Sequence, residues 1–235
     1  MDDHYKLDDT VKLIVCDMAG TTVNEGGIVY RTLYNTIKSS GIAIEEDEMK
    51  DWYGINKTEV LAYFMNRDAR YYGNQEMLAT LLASFKQQLR NSYFSSNSIT
   101  LIDPGLPALF NQIRATGVKI ALNSGFSVDI QEKIIETLGM RDFIDGYISS
   151  ESVATGRPAP YMIENLMTRF GVTDPGQVVK IGDSQNDILE GKNAKCGASI
   201  GVLSGAETRE KLESAGADRI LRSVMALVPR AHSAQ

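Results

Sequence analysis

The sequence is poor in cysteine, histidine and tryptophan. Its 235 residues include two cysteines, two histidines and one tryptophan. Cys16 lies in an apolar run and Cys196 in a turn of small residues, so we interpret both as buried thiols in a reducing compartment rather than a disulfide framework. His4 and His232 lie near the two ends, in segments that we expect to be flexible tails. Neither histidine is therefore a candidate for catalysis.

The sequence also lacks long apolar runs and an excess of positive charge. No run of about 18 apolar residues occurs, and the acidic start, MDDHYKLDD, has no apolar signal segment. These absences predict a cytoplasmic protein with no membrane partner. The net charge of −6 argues against a nucleic-acid partner, because such binding needs clustered positive charge. We expect any phosphate group to be bound locally.

Short apolar runs rich in β-branched residues alternate with stretches of helical periodicity. This alternation predicts an α/β fold with a doubly wound, Rossmann-like parallel sheet and helices on both faces. The predicted strands are 12–18, 118–124, 146–150, 178–184, 198–203 and, more weakly, 218–221.

The chain between the first two predicted strands has no further strand pattern. From Tyr30 to Tyr93 its apolar residues recur with helical spacing. Flexible linker chemistry borders this stretch: Gly26-Gly27 precedes it, and SSNS (95–98) and Asp103-Pro104-Gly105 follow it. We therefore predict a helical cap domain, joined through a hinge to a catalytic core. The predicted bounds are 25–98 for the cap, and 1–24 with 99–235 for the core.

Polar residues follow four of the predicted strands, at the sheet edge where α/β proteins bind ligands. Asp17, Ser124 and Asp183 end three strands, and TGRP (155–158) follows another. Each has an ordinary structural explanation as a turn or helix cap, and Ser184 with Asp187 has the spacing of an N-capping pair. For Ser184 and Asp187 the structural and functional interpretations are compatible, because that helix start faces the predicted site.

Taken together, these residues favour phosphoryl transfer. The Asp17 carboxylate can attack phosphorus and form an aspartyl-phosphate. Because both partners are anionic, the attack needs cations near the transferred group. We expect Mg²⁺ held by Asp17 and Asp183 with Asp187 behind them, and Arg157 on the phosphoryl oxygens. The Ser124 hydroxyl and nearby backbone amides, including Gly125, are expected to cradle phosphate.

The order of these segments resembles that of the haloacid dehalogenase superfamily, over essentially the whole chain. DMAGT (17–21) is similar to its nucleophile motif, NSG (123–125) to the second motif, Arg157 to the basic third, and GDSQND (182–187) to the acidic fourth. The resemblance implies a mobile helical cap and Mg²⁺ as cofactor. It implies phosphate binding at Ala19, Gly20, Thr21, Ser124, Gly125 and Arg157, and metal binding at Asp17, Ala19, Asp183 and Asp187.

Two departures from most phosphatases of that superfamily resemble one of its branches. Most have an aspartate two residues after the nucleophile, where this chain has Ala19, and lysine in the third motif, where it has Arg157. Both features resemble phosphonatase (phosphonoacetaldehyde hydrolase) and its relatives, which cleave a P–C bond and need no acid for an alcohol. The cap lysine of that branch corresponds to Lys57 in YGINK (53–57), which the resemblance implies forms an imine.

Lys57 also has a structural interpretation. Asn56 and Glu59 have capping-box spacing, which makes Lys57 the first residue of a cap helix. A cation there is unfavourable, so we expect a lowered pKa that suits imine chemistry. Other positions depart from the branch: Val60 replaces a histidine, Tyr53 a methionine, Gly27 a cysteine and Phe126 a tyrosine.

Three functions fit the sequence. The first is a Mg²⁺-dependent hydrolase of a small phosphonate or phosphate, with Asp17 as nucleophile, Lys57 as a Schiff-base residue, and Tyr53, Trp52 and Asn56 as specificity contacts. The second is a P–O phosphatase of a small phosphorylated metabolite. The third is an inactive module that binds a metabolite or regulates a partner. The resemblance also implies a possible homodimer.

Overall fold

The computed structural model describes residues 4–53, 55–94 and 99–230. Its strands in chain order are β1 (Tyr5–Lys6), β2 (Leu13–Asp17), β3 (Val23–Asn24), β4 (Thr100–Leu101), β5 (Lys119–Ser124), β6 (Gly146–Ser149), β7 (Val178–Gly182), β8 (Ala198–Val202), β9 (Arg219–Leu221) and β10 (Leu227–Val228). Its α-helices are α1 (Ile28–Ser39), α2 (Lys57–Arg67), α3 (Gln75–Phe94), α4 (Leu106–Ala115), α5 (Val128–Thr137), α6 (Tyr161–Phe170), α7 (Gln185–Asn193) and α8 (Arg209–Ser214).

Six of these strands form one parallel sheet, in the order β6-β5-β2-β7-β8-β9. Every residue of β2 and β7 is buried, as expected for strands covered by helices on both faces. The predicted α/β fold is thus confirmed, with all six predicted strands in the sheet. The strand order reverses at β2, so Asp17 ends a strand at the switch point where such sheets bind ligands.

Two small pairs of strands add to the six-stranded sheet. Strands β1 and β10 pair in parallel, and β3 pairs with β4 in antiparallel fashion through Val23 with Leu101 and Asn24 with Thr100. Each of these strands has only two residues, too few for a periodic pattern in the sequence. The second pair joins the two chain segments that lead to and from the helical insert.

Helices α1, α2 and α3 lie between β3 and β4 and pack on one another around buried apolar side chains. Leu33, Phe64 and Leu89, one from each helix, are fully buried there. Helix α1 begins after Gly26 and Gly27, whose φ angles of 59° and 74° favour glycine. The predicted linker at 95–98 lies outside the described residues. The domain boundaries remain a prediction.

The helical insert contacts the rest of the chain at the carboxyl edge of the sheet. The Asn186 side chain donates a hydrogen bond to the Tyr53 carbonyl over 2.6 Å. Asn56 donates to the Ser150 hydroxyl over 2.9 Å. On the outer side, Lys86 of α3 pairs with Glu151 at 3.4 Å. The helical insert, for which we keep the predicted name cap, therefore lies over the ends of the strands that carry the predicted site.

The cysteines fit the sequence interpretation in part. Both are free thiols, Cys16 buried in β2 and Cys196 partly exposed. Burial raises the pKa of each thiol to about 12, so both are protonated and unreactive at neutral pH.

None of the helices in the described residues combines the length and the apolar character that spanning a membrane requires.

Candidate active site

Asp17 is the last residue of β2 and lies beside Asn123 of β5 in the sheet. The turn that follows is held by the Thr22 hydroxyl, which donates to the Asp17 carbonyl over 2.9 Å. Gly20 has a φ of 80°, and a Cβ atom there would lie 2.5 Å from a carboxylate oxygen of Asp183. Glycine is thus required for the close approach of the first and fourth motifs.

Three buried carboxylates meet at this point. Oxygens of Asp17, Asp183 and Asp187 all lie within 4.8 Å of one another. Asp183 accepts a hydrogen bond from the Ala206 amide at 2.7 Å. Burial raises the pKa of Asp183 well above its usual range, and repulsion from Asp17 and Asp187 raises it further. The repulsion in this all-oxygen cluster would be relieved by a hard divalent cation, so the residues present fit Mg²⁺.

Arg157 connects these acids to the second motif. Its Nη1 lies 2.7 Å from Asp17 Oδ1 and 3.2 Å from Asp187 Oδ1. Its Nη2 donates to the Asn123 side-chain oxygen over 2.6 Å, and its Nε pairs with Glu190 at 3.1 Å. These contacts fix the plane of the guanidinium against the predicted nucleophile. Burial raises the pKa of Asp17, and the nearby Arg157 lowers it in part.

A second buried cation, Lys180, lies beneath the site. Its Nζ lies 2.8 Å from Asp187, 3.4 Å from Glu190 and 2.9 Å from the Asn123 side-chain oxygen. The Asn123 amide in turn donates to both oxygens of Glu190, at 2.9 and 2.8 Å. Sequence reasoning missed Lys180, Glu190 and Asn123 as parts of one network. A lysine inside the apolar strand VVKIG was the available signal.

The charges of the network do not balance. Asp17, Asp183, Asp187 and Glu190 carry four negative charges when all are ionised, while Arg157, Lys180 and a protonated Lys57 carry three positive ones. Unpaired buried charge is costly. An excess of negative charge at the carboxyl edge of the sheet is therefore a second feature that fits a divalent cation.

Asp187 forms the N-capping pair that the sequence predicted, and its carboxylate also lies in the acidic cluster. With Ser184 it forms the capping box of α7, and the Ser184 hydroxyl donates to it over 2.6 Å. Burial raises the Asp187 pKa, but attraction to Arg157 and Lys180 outweighs burial and leaves the pKa lowered. Asp187 thus stays ionised beside Asp183.

Lys57 reaches the site from the first residue of α2. Its side chain is 7% exposed, its Nζ donates to the Ile55 carbonyl over 2.8 Å, and it lies 4.6 Å from the centre of the Tyr30 ring. Burial lowers the Lys57 pKa to about 8, although Asp17 attracts the charge and opposes the shift. The direction agrees with the sequence analysis, but the main cause is burial rather than the helix terminus. Asn56 caps α2 by accepting from the Thr58 amide.

The predicted phosphate-binding positions divide into two groups. Ser124 and Gly125 line a small cavity together with Asp17, Lys57 and Arg157, and Ala19 lines it from the nucleophile turn. In contrast, the amides of Gly20 and Thr21 donate to the Val23 and Met18 carbonyls within that turn. The buried Thr21 hydroxyl has no hydrogen-bond partner among the described residues. The phosphate-binding role of all these positions stays a prediction.

Two cavities meet at the site. The inner one, of about 20 Å³, lies between Asp17, Arg157 and Lys57. A larger one of about 460 Å³ extends under the cap and is lined by Tyr30 and Tyr53. Trp52 lines neither described cavity: its ring packs against Tyr63 at 4.5 Å and Phe64 at 5.9 Å. Its expected role as a specificity contact has no support in this geometry.

The fold and the acidic edge define a class that sequence comparison also finds. The family described as haloacid dehalogenase-like hydrolase matches residues 11–195, so the chain belongs to that family and is a hydrolase. The predicted superfamily membership and enzyme class are thus confirmed.

Within this family, the chain is similar to curated proteins named phosphonoacetaldehyde hydrolase. A phosphonoacetaldehyde hydrolase of Bacteroides fragilis is 27% identical over 91% of this chain and 93% of its own length. One from Latilactobacillus sakei is 27% identical over 92% and 93%. A solved phosphonoacetaldehyde hydrolase-like protein of Oleispira antarctica superposes with a TM-score of 0.77 at 21% identity, over 92% of this chain and 89% of its own, which supports the fold. The predicted phosphonatase-like relationship is confirmed.

Proposed function

We propose that the chain hydrolyses a small phosphonate, passing the phosphoryl group to Asp17 and then to water, with an imine on Lys57 activating the leaving carbon. The observation that carries this proposal is that Asp17, Arg157 and Lys57 line one cavity of about 20 Å³. An anionic nucleophile, a phosphoryl-binding cation and an amine with a pKa of about 8 therefore face the same space.

The first step is imine formation. The neutral Lys57 amine attacks a carbonyl two bonds from phosphorus, and loss of water leaves a protonated imine. A pKa of about 8 keeps a useful fraction of this amine neutral near physiological pH. The Tyr30 ring, 4.6 Å from the amine, favours the cationic imine that follows.

The second step is phosphoryl transfer. A carboxylate oxygen of Asp17 attacks phosphorus, the P–C bond breaks, and its electron pair moves through carbon onto the imine nitrogen to give an enamine. Arg157, 2.7 Å from Asp17, is placed to bind the phosphoryl oxygens as charge develops. Water then hydrolyses the aspartyl-phosphate, and protonation and hydrolysis of the enamine release the carbonyl product and free Lys57.

A bound Mg²⁺ would be held by Asp17, Asp183 and Asp187, with Ala19 also implicated by the resemblance, and would neutralise the anions that meet in the reaction. Ala19 places a methyl group where most phosphatases of the superfamily carry the acid for a leaving alcohol. Since a carbon leaving group stabilised as an enamine needs no such acid, Ala19 supports P–C cleavage over P–O cleavage.

A phosphate ester is the second candidate substrate. Val60 occupies the position of the branch's cap histidine. It is a fully buried apolar residue and cannot transfer a proton. In this alternative Asp17 and Arg157 act as above, and a water protonates the leaving alcohol while Lys57 only binds. The two candidates differ in whether a covalent bond to Lys57 forms.

Borohydride trapping separates these candidates. With phosphonoacetaldehyde and borohydride, we expect irreversible inactivation and a mass increase on the peptide that carries Lys57. Lys57→Arg should lose P–C cleavage, whereas the control Lys50→Arg, an exposed cap lysine, should retain it. Full activity of Lys57→Arg would refute the imine. Hydrolysis of p-nitrophenyl phosphate that survives in Asp17→Asn would refute Asp17 as nucleophile.

A further inference from the structure

The larger cavity exceeds what a two-carbon leaving group needs. Ala19, Tyr30 and Asp183 line both cavities, so the space of about 460 Å³ adjoins the reaction site. Pockets of about 300–1,000 Å³ hold ligands of drug size. The structure therefore leaves room for a leaving group that extends well beyond the carbon attached to phosphorus.

One cation lines this space without a partner. The Arg31 side chain, on α1, forms no hydrogen bond or ion pair within the described part of the chain. The other arginines of the cap are paired: Arg67 with Glu48, Arg70 with Asp68, and Arg90 with Asp129. Arg31 thus differs from its neighbours in both position and pairing.

The acids of the cavity leave Arg31 available. The buried Glu25 carboxylate accepts hydrogen bonds from the Tyr93 hydroxyl at 3.0 Å and the Val29 amide at 2.9 Å. Glu46 is exposed, so solvent screens its charge. Asp183 belongs to the acidic cluster beside Asp17. Arg31 is itself solvent-exposed, so its guanidinium can exchange water for the anion of a ligand that enters the cavity.

Three tyrosines line the larger cavity together with Arg31. The rings of Tyr30 and Tyr53 pack at a tilt of 53° with centres 4.2 Å apart, and Tyr34 follows on the next turn of α1. Phenol rings offer apolar surface with hydroxyl groups for hydrogen bonding. This surface suits the short carbon chain of a polar metabolite.

We propose that the substrate carries a carboxylate on its leaving group and that Arg31 binds this carboxylate. The proposal rests on the proposed function, because it assumes that phosphorus is transferred at Asp17. A keto-acid phosphonate such as 3-phosphonopyruvate has a carbonyl for Lys57 and an acid for Arg31. If the bond cleaved is P–O, the corresponding class is a phosphorylated hydroxy acid.

Two matched pairs of substrates test the proposal: 3-phosphonopyruvate against phosphonoacetaldehyde, and 3-phosphoglycerate against glycerol 3-phosphate. Each pair differs in a carboxylate. In Arg31→Leu, we expect kcat/KM for the acid of the cleaved pair to fall about 10- to 100-fold, mainly through KM. For the member without the carboxylate, kcat/KM should change less than about twofold. Arg31→Lys should keep part of the preference for the carboxylate. Arg70→Leu, an exposed cap arginine outside the cavity, is the control.

Equal losses for both members of a pair would overturn the proposal, since they would indicate a structural role for Arg31. A wild-type enzyme that prefers the members without a carboxylate, or that cleaves none of the four compounds, would overturn the proposal as well. Hydrolysis of p-nitrophenyl phosphate that depends on Asp17 would then show that the proposed phosphoryl transfer stands without Arg31. Loss of that activity too would mark the failure of the proposed function itself.

Discussion

Arg157 Nη1 lies 2.7 Å from Asp17 Oδ1, and both side chains are almost completely buried. This ion pair joins the end of the central strand β2 to the loop before α6. The same guanidinium also contacts Asn123 and Glu190, so its orientation is fixed from three sides. The guanidinium of Arg157, the proposed phosphoryl-binding cation, is therefore held rigidly beside Asp17, the proposed nucleophile.

Replacing Arg157 by lysine should reduce kcat about 10²- to 10³-fold, the usual cost of losing an oriented donor to a transition state. Lysine keeps the charge but loses the planar fork that meets Asp17 and Asn123 together. Steady-state kinetics with the cleaved substrate measures the effect, and Arg169→Lys on the exposed surface of α6 is the control. A kcat within about twofold of wild type would contradict this assignment.

Mg²⁺ should stabilise the fold through the acidic cluster. At a concentration of about 100 times its Kd, a ligand adds roughly 2.7 kcal/mol to the free energy of unfolding. We expect Mg²⁺ to raise the melting temperature of wild type but not of Asp183→Asn, because that variant loses a proposed ligand. Asp51→Asn, an exposed cap acid, should respond like wild type. Equal shifts in all three proteins would show that the metal binds elsewhere.

Lys57→Met should make the protein more stable at neutral pH while abolishing imine formation. Burial lowers the Lys57 pKa from 10.5 to about 8, so below pH 8 the folded state holds a disfavoured buried ammonium. This difference corresponds to roughly 3 kcal/mol at most. Because the folded protein releases its proton before the unfolded chain does, wild-type stability from this group rises between pH 8 and 10.5.

Urea denaturation of both proteins at pH 7 and pH 10 measures this linkage. We expect the advantage of Lys57→Met to shrink as pH rises, and Lys50→Met, at an exposed cap position, to show no such trend. A Lys57→Met protein that is less stable than wild type at pH 7 would indicate that the contacts with Ile55 and Tyr30 outweigh burial of the charge.

Asn186→Ala should weaken closure of the cap. The Asn186 side chain holds the Tyr53 carbonyl at 2.6 Å and directly links α7 to the cap. Its loss should raise KM several-fold, about the effect of one hydrogen bond worth roughly 1 kcal/mol, with little change in thermal stability. Asn111→Ala, on the surface of α4, is the control. A large drop in melting temperature with unchanged KM would contradict a role in closure.

Much of the fold was accessible from local sequence pattern. Strands such as β2 and β7 read as short apolar runs because a parallel sheet buries both of their faces. The paired strands β3 and β4 escaped detection because two residues carry no periodicity and their partners are far apart in the chain.

The sequence predicted only those residues of the site that belong to a recognisable motif. Asp17, Asp183 and Arg157 were expected together, but Lys180 and Glu190 were not, since a strand lysine and a helix glutamate have no spacing that shows they meet. The lowered pKa of Lys57 was anticipated for its position at the start of a helix. Its main cause, burial beneath the cap, depends on packing that only the folded chain displays.

The β3–β4 ribbon has a mechanical consequence. Since Val23 and Leu101 pair side by side, the two connections to the helical insert are tied together at one point. Any movement of the insert about this point would carry Lys57 toward or away from Asp17, with which it shares a cavity.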